Sequence, residues 1–444
     1  VIAWAGFIVL ILGGTVYAWS NFTQPLIASF EWSSTQASLV FGVAIFSLSI
    51  GAVIGGRWQD RAGPRTITVT GIAMWGVGNV LAAIGPHDVW WWSVTYGLIG
   101  GFGNGMSYIG PVATALKWFP DKRGLAGGMV VMGFGFGAFF YGFILRAIPA
   151  FVVASKDAGA YNDAKSAAIA AGTHFAVAAH AMSTADVACM LTVVAVSGCA
   201  YAGIGGVAAL LLRDPPAGYR DGSVTVAIPS HQDSFTSAQM LRVPQFYLLW
   251  LMLFANVVGG FLIVSNAVPI IRELISKGVT DPAAMRVLTG TAVSLYAFVA
   301  GFNALGRVFW GAISDRIGRA VVLVCIYACQ ATIFFVMPGF HSVPLVLFAF
   351  AIILACYGGG IGTMPSFSAA FFGTRFLGQN YGFTITASGI GALVGPSIAG
   401  AVKDNTGSYS RALTPMAAVF LLAIVLPLIA RKPVPPSATP ANDL

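Results

Sequence analysis

Arg307 stands in an otherwise uncharged, mostly apolar run, residues 287–313, and every other charged residue falls at or beyond the ends of such runs. A guanidinium at membrane depth costs a few kcal/mol unless it faces a partner or a wet cavity. No carboxylate lies deep in any run to neutralise it. A mobile anion is therefore the expected partner, because a guanidinium can hold a carboxylate through two parallel hydrogen bonds. The competing reading is that Arg307 snorkels to the polar interface, since Asp315 follows eight residues later, about 12 Å along a helix. Asn303, four residues earlier, shares its helical face and is placed to orient the guanidinium or to bind cargo. Trp310, three residues later, is either a wall of the site or a packing side chain. Tyr17, Tyr108 and Tyr357 lie within three other apolar runs. There a phenol needs a hydrogen-bond partner, although ordinary packing explains the rings equally well.

The elements that must position these groups are membrane helices. Of the 444 residues, 57% are hydrophobic and only 9% charged, against about 25% charged in soluble domains; the mean hydropathy is +0.82. The apolar runs are continuous rather than alternating, which excludes a β-barrel. At about 20 residues per crossing, twelve spans are expected: 2–28, 36–56, 66–84, 89–116, 124–147, 184–212, 245–269, 287–313, 320–338, 343–372, 381–402 and 411–430. The fold class is thus an all-α, polytopic membrane protein with two pseudo-symmetric six-helix halves. Residues 1–212 form the first half, with an outer loop near 149–183. Residues 213–244 form a cytoplasmic linker, 245–430 the second half and 431–444 a tail. Outside Arg307, fourteen Lys and Arg residues fall in segments on the N-terminal side of the membrane and eight on the other. That bias puts both termini in the cytoplasm. Val1 is not a start methionine, so a few residues are expected to precede it. The first run carries Asn21, Gln24 and Pro25 and no obvious cleavage site, unlike a signal peptide.

Two segments repeat at an offset of 255 residues. Gly56, Asp60, Arg61 and Gly63 after span two match Gly311, Asp315, Arg316 and Gly318 after span eight, in the pattern G-x-x-x-D-R-x-G. Each can turn at its glycines and set an Asp beside an Arg where helix ends meet the cytoplasmic face, which favours a charge latch between neighbouring helices. A weaker repeat pairs 101–128 with 358–382. Repeated halves imply alternating access, with a binding site between them. The same offset maps Arg307 onto Ala52 and Asn303 onto Leu48, so the scaffold itself does not demand a cation there. The glycines of 127–137 and of 389–400 are candidate gate surfaces, or simply close packing.

The doubled motif and twelve spans resemble the major facilitator superfamily. Lys117-Trp118-Phe119-Pro120-Asp121-Lys122-Arg123-Gly124-Leu125-Ala126, together with Asn303 to Gly311, is more specifically similar to the oxalate:formate antiporter family and related monocarboxylate transporters. The resemblance implies carriage of small carboxylates, with the span-eight arginine binding the carboxylate and aromatic positions such as Tyr17, Tyr108 and Tyr357 lining the cage. It also implies two departures. Oxalate-type members carry a lysine on span eleven, whereas residues 381–401 hold no cation and the matching place falls near Ser388. Animal-type monocarboxylate carriers place an acid where Asn303 stands.

A dianion would leave one carboxylate unpaired at this site, at a cost of several kcal/mol, so a lactate-like monocarboxylate is favoured over oxalate. No Asp or Glu lies deep in a span, and all five histidines map to loops. Anion exchange is the leaning, and proton symport stays open. The chain is read as a secondary transporter of a bacterial inner membrane, with a small carboxylate and an exchanged anion or coupled proton as partners. A carboxylate receptor on the same scaffold and a dicarboxylate exchanger are the alternatives. Nothing resembles an enzyme, a metal site, a cofactor site or a nucleic-acid surface. The five cysteines, all within apolar runs, read as small core hydrophobes.

Overall fold

A computed structural model of the chain describes residues 1–155, 157–158, 161, 183–216, 234–276, 288, 291–292, 295–296, 298–406 and 408–434. Most of the expected outer loop (149–183) and of the linker (213–244), and residues 435–444 of the tail, lie outside them.

The described residues are helical, without a strand. The first half comprises α1 (Ile2–Gly13, a 3₁₀ stretch Gly14–Trp19, then Ser20–Phe30), α2 (Ser34–Ala62), α3 (Pro64–Ile84), α4 (Val89–Trp92, Ser93–Gly100 and Gly101–Trp118), α5 (Arg123–Arg146) and α6 (Thr184–Ala200, Tyr201–Gly205 and Gly206–Leu210). The second comprises α7 (Pro244–Ser265, extended by Ala267–Ile275), α8 (Gly301–Ile317), α9 (Arg319–Val336), α10 (Val343–Phe372), α11 (Leu377–Thr406) and α12 (Leu413–Ala423 and Val425–Ile429). Among the described residues, ten helices are long and apolar enough to cross a membrane. The other two passes are α4, whose middle runs through a π-helical stretch, Ser93–Gly100, and α8, which is described as one continuous helix only from Gly301. Large apolar side chains such as Phe335, Leu422 and Leu428 are two-thirds or more exposed, as expected of an exterior solvated by lipid tails.

Local sequence sets the helix ends. Ser33 and Gln36 form a reciprocal capping box at the start of α2, with Gln36 N donating to Ser33 Oγ at 3.1 Å and Ser33 N to Gln36 Oε1 at 2.7 Å. The last glycine of each repeated motif makes the sharp turn into the next helix: Gly63 has φ 82° and Gly318 φ 92°, a region that disfavours any residue with a Cβ.

The two halves meet along α5–α8 and α2–α11, and these interfaces are copies of each other. An added Cβ on Gly124 would lie 2.2 Å from the Gly311 carbonyl oxygen, and one on Gly128 would lie 2.4 Å from that of Arg307. Correspondingly, a Cβ on Gly56 would lie 2.1 Å from the Gly378 oxygen, and one on Gly382 would lie 2.5 Å from that of Ala52. Only glycine lets these backbones touch. Arg307 therefore occupies the symmetry-related place of Ala52. Its guanidinium is an addition to a scaffold that carries an apolar side chain at the matching place.

Candidate functional site

Arg307 is 1% exposed. It points neither into lipid nor toward the polar interface, which answers the snorkelling alternative. Its Nε donates to Asn303 Oδ1 at 3.2 Å and its Nη1 to the Val131 carbonyl oxygen of α5 at 2.9 Å. The guanidinium thus bridges the two halves. Its Nη2 is buried and has no hydrogen-bond partner, and Arg307 is in no ion pair among the described residues. Two of three nitrogens are held by neutral acceptors and one is left over. With Nε committed to Asn303, the Nε–Nη2 edge is not free for a two-pronged carboxylate contact, so the expected fork is narrowed to the end of the guanidinium.

A cavity of about 300 Å³ adjoins this group through Asn303, although Arg307 itself is not among the lining residues. Tyr17, Asn303 and Tyr357 line it, with Phe261 on one wall, and it extends along α5 as far as Arg146 in the last turn. Both halves contribute. Tyr17 interacts with the Arg307 guanidinium and with Tyr357, so Tyr17 and Asn303 form a floor with the charge immediately beneath. The rings form a connected cage. Phe134 stands edge-on to Tyr17 at 5.3 Å and to Tyr108 at 5.2 Å, while Phe261 joins Tyr17 at 6.3 Å to Tyr357 at 5.8 Å. The Tyr108 hydroxyl meets that of Tyr381 at 3.4 Å, and both tyrosines lie in the electrostatic reach of Arg307.

Of the six sequence-selected binding candidates, Arg307, Asn303, Tyr17 and Tyr357 come together around the floor, and Tyr108 sits in the layer below. Trp310 does not line the cavity. Its half-buried ring covers Gly359 of α10, where an added Cβ would lie 2.1 Å from it. Phe134, Phe261 and Tyr381 were not singled out, because an aromatic inside an apolar helix carries no mark separating a cage wall from core packing. Asn256 was also missed; it donates to the Tyr357 carbonyl at 2.9 Å and fixes α10 against α7.

The end of the bundle away from the cavity is closed by the repeated motifs. Asp315 accepts from Gly124 N at 2.8 Å and Leu125 N at 2.9 Å, at the start of α5. Asp60 accepts from Gly378 N at 3.1 Å and Gln379 N at 3.0 Å, at the start of α11. Each carboxylate therefore caps a helix N-terminus of the opposite half, where the helix dipole favours negative charge. The latch runs between halves rather than between chain neighbours, and its donors are main-chain amides. Arg61 and Arg316 are exposed, whereas Arg319 approaches Asp315 at 3.6 Å. Of the cysteines only Cys356 is buried; Cys199 and Cys329 are exposed on the apolar exterior.

The family description "Major Facilitator Superfamily" matches residues 4–153 and 249–443. An "Oxalate:formate antiporter" of Oxalobacter formigenes is 28% identical over 95% of this chain and 89% of its own. An uncharacterised transporter of the same superfamily from Escherichia coli K12 is 25% identical, covering 86% of this chain and 82% of its own. The "Apicoplast pyruvate carrier 1" of Toxoplasma gondii is 25% identical, covering 79% and 66%. Among solved structures, the fucose:proton symporter of E. coli superposes with a TM-score of 0.63 at 15% identity, over 96% of this chain and 98% of that one, a likeness of fold alone.

Proposed function

This chain belongs to the Major Facilitator Superfamily, and from that premise we propose that it carries small monocarboxylate anions across the membrane by alternating access. It is an integral membrane transporter rather than an enzyme. The observation that carries the substrate reading is the buried guanidinium between the two halves, with Nη2 unpartnered and a cavity adjoining it through Asn303. Leaving a buried charged donor unsatisfied costs more than about 1–3 kcal/mol. A carboxylate oxygen would satisfy it, with the Tyr17 and Tyr357 phenols and the Asn303 amide around the remaining lone pairs.

The single cation at the cavity floor, with Arg146 lying only at the other end of the cavity, favours a lactate-like monoanion. The cavity floor has one cation beneath it, and Ser388 and its neighbours on α11 supply no second one. A dicarboxylate reading is supported by the relative named as an oxalate:formate antiporter. Coupling is by anion exchange or by proton symport. The proposed cytoplasmic placement of both termini rests on the excess of Lys and Arg at the latch end, and a bacterial inner membrane is the proposed location.

Counterflow in proteoliposomes separates these readings. The purified carrier is loaded with unlabelled lactate, pyruvate, formate, acetate or oxalate and challenged with the labelled anion, with and without a pH gradient. Exchange of monoanions is the expected result. Exchange confined to dianions would transfer the assignment to the oxalate class, and binding without counterflow would identify a receptor.

A further inference from the structure

A second cavity, of about 510 Å³, lies at the latch end on the outside of the first half, among the ends of α1, α3, α4 and α6. Its lining is of two kinds. Trp118, Phe119, Leu210 and Leu211 give an apolar wall, and Arg65 and Arg213 stand over it. Both arginines are exposed, and neither is in an ion pair among the described residues. Arg213 is held in place through its backbone, because Trp118 Nε1 donates to the Arg213 carbonyl at 2.7 Å. The adjoining acid, Asp214, is already bonded to Lys117 Nζ at 2.9 Å. The groove therefore keeps a net charge of two guanidiniums above a greasy floor, at the level where the helices leave the membrane.

We propose that this groove binds an anionic phospholipid, its phosphate between Arg65 and Arg213 and its acyl chain along Trp118, Leu210 and Leu211. Guanidiniums give phosphate oxygens paired, directed donors that an ammonium lacks, and basic pockets beside membrane helices at this depth suit anionic head groups. Charge complementarity selects the anionic lipid over a zwitterionic one. The aliphatic wall selects a lipid over free phosphate, which has nothing to lay against it. The site is made by the first half and Arg213, the first residue of the linker, and does not depend on the identity of the transported anion.

The test is native mass spectrometry of the full chain, extracted from liposomes of equal phosphatidylglycerol and phosphatidylcholine. Each arginine that faces the bound head group contributes roughly a fivefold preference for an anionic lipid. Arg65→Gln/Arg213→Gln should therefore lose retained phosphatidylglycerol about 30-fold, while Arg65→Lys/Arg213→Lys, which keeps the charge but not the paired donors, should lose less than the Gln pair. Arg57→Gln/Arg431→Gln removes two exposed charges outside the groove and should leave retention unchanged. Equal retention of phosphatidylglycerol by the double Gln variant and the parent would overturn the proposal. So would equal retention of the two lipids, an equal loss in the control pair, or displacement of the lipid by inorganic phosphate alone.

Discussion

The sharpest test of the carboxylate reading is Arg307→Lys. Lysine keeps the charge but ends where the guanidinium carbon stood, about 1.3 Å short of Nη1 and Nη2. Its single ammonium cannot reproduce the present division of labour, in which Nε holds Asn303, Nη1 holds the Val131 carbonyl and Nη2 remains free. Either the tie to Val131 is kept and the cargo loses its donor, or the reverse. One charge-assisted hydrogen bond is worth about 1.5–3 kcal/mol, so carboxylate affinity should fall roughly 10- to 150-fold. The measurement is the concentration dependence of labelled lactate or pyruvate counterflow, normalised to the amount of reconstituted protein. A thermal melt in detergent shows whether the variant is intact. A lysine variant with nearly parental half-saturation and rate would refute the idea that the guanidinium's geometry, and not merely its charge, receives the anion.

Three further expectations follow from the same geometry. Asn303→Asp would place a carboxylate on Arg307 Nε and neutralise it from within, so anion counterflow at pH 7 should drop at least about tenfold; because the ion pair favours the ionised acid, the loss should persist in initial rates measured down to about pH 5. Gly128→Ala would drive a Cβ to 2.4 Å from the Arg307 carbonyl oxygen, a main-chain atom that cannot swing away, so transport should be lost, whereas Gly400→Ala, with nothing within 4 Å, should behave like the parent. Glu273 lies beyond the α7 span. Burial alone would raise its pKa, but hydrogen bonds from Ser408, Ser410 and the Tyr409 and Ser410 amides outweigh this and hold it below the usual carboxylate value. A depressed folded-state pKa gives stability that is present above about pH 4.3 and lost as pH falls through the folded value; Glu273→Gln should therefore melt lower at pH 7, with the gap to the parent closing below about pH 4.

Much of this architecture was readable beforehand, for definite physical reasons. The twelve apolar runs follow from bilayer thickness, and the 255-residue offset placed Arg307 opposite Ala52, where the matched Gly128 and Gly382 contacts also put them. Arg307 was conspicuous because a cation inside an apolar run has few innocent explanations. What escaped the sequence were partners that have no side-chain identity. The Val131 carbonyl and the Gly124, Leu125, Gly378 and Gln379 amides are main-chain groups, and any residue type presents them. The expected Asp–Arg latch was thus redrawn as an Asp–helix-terminus latch. Trp310 shared a helical face with Arg307 closely enough to suggest a common cavity, but α10 passes so near at Gly359 that the indole is used as a cover.

The tie between Arg307 Nη1 and Val131 has a consequence for the return stroke. When α8 swings away from α5, the guanidinium must give up a protein acceptor. A loaded carrier supplies a fresh counter-ion at that moment; an empty one does not. Reorientation without a passenger should accordingly be the slow leg of the cycle, and efflux of labelled lactate should accelerate severalfold when unlabelled anion is added on the far side. An efflux rate indifferent to that addition would mean the helix-to-helix tether is not what times the turnaround.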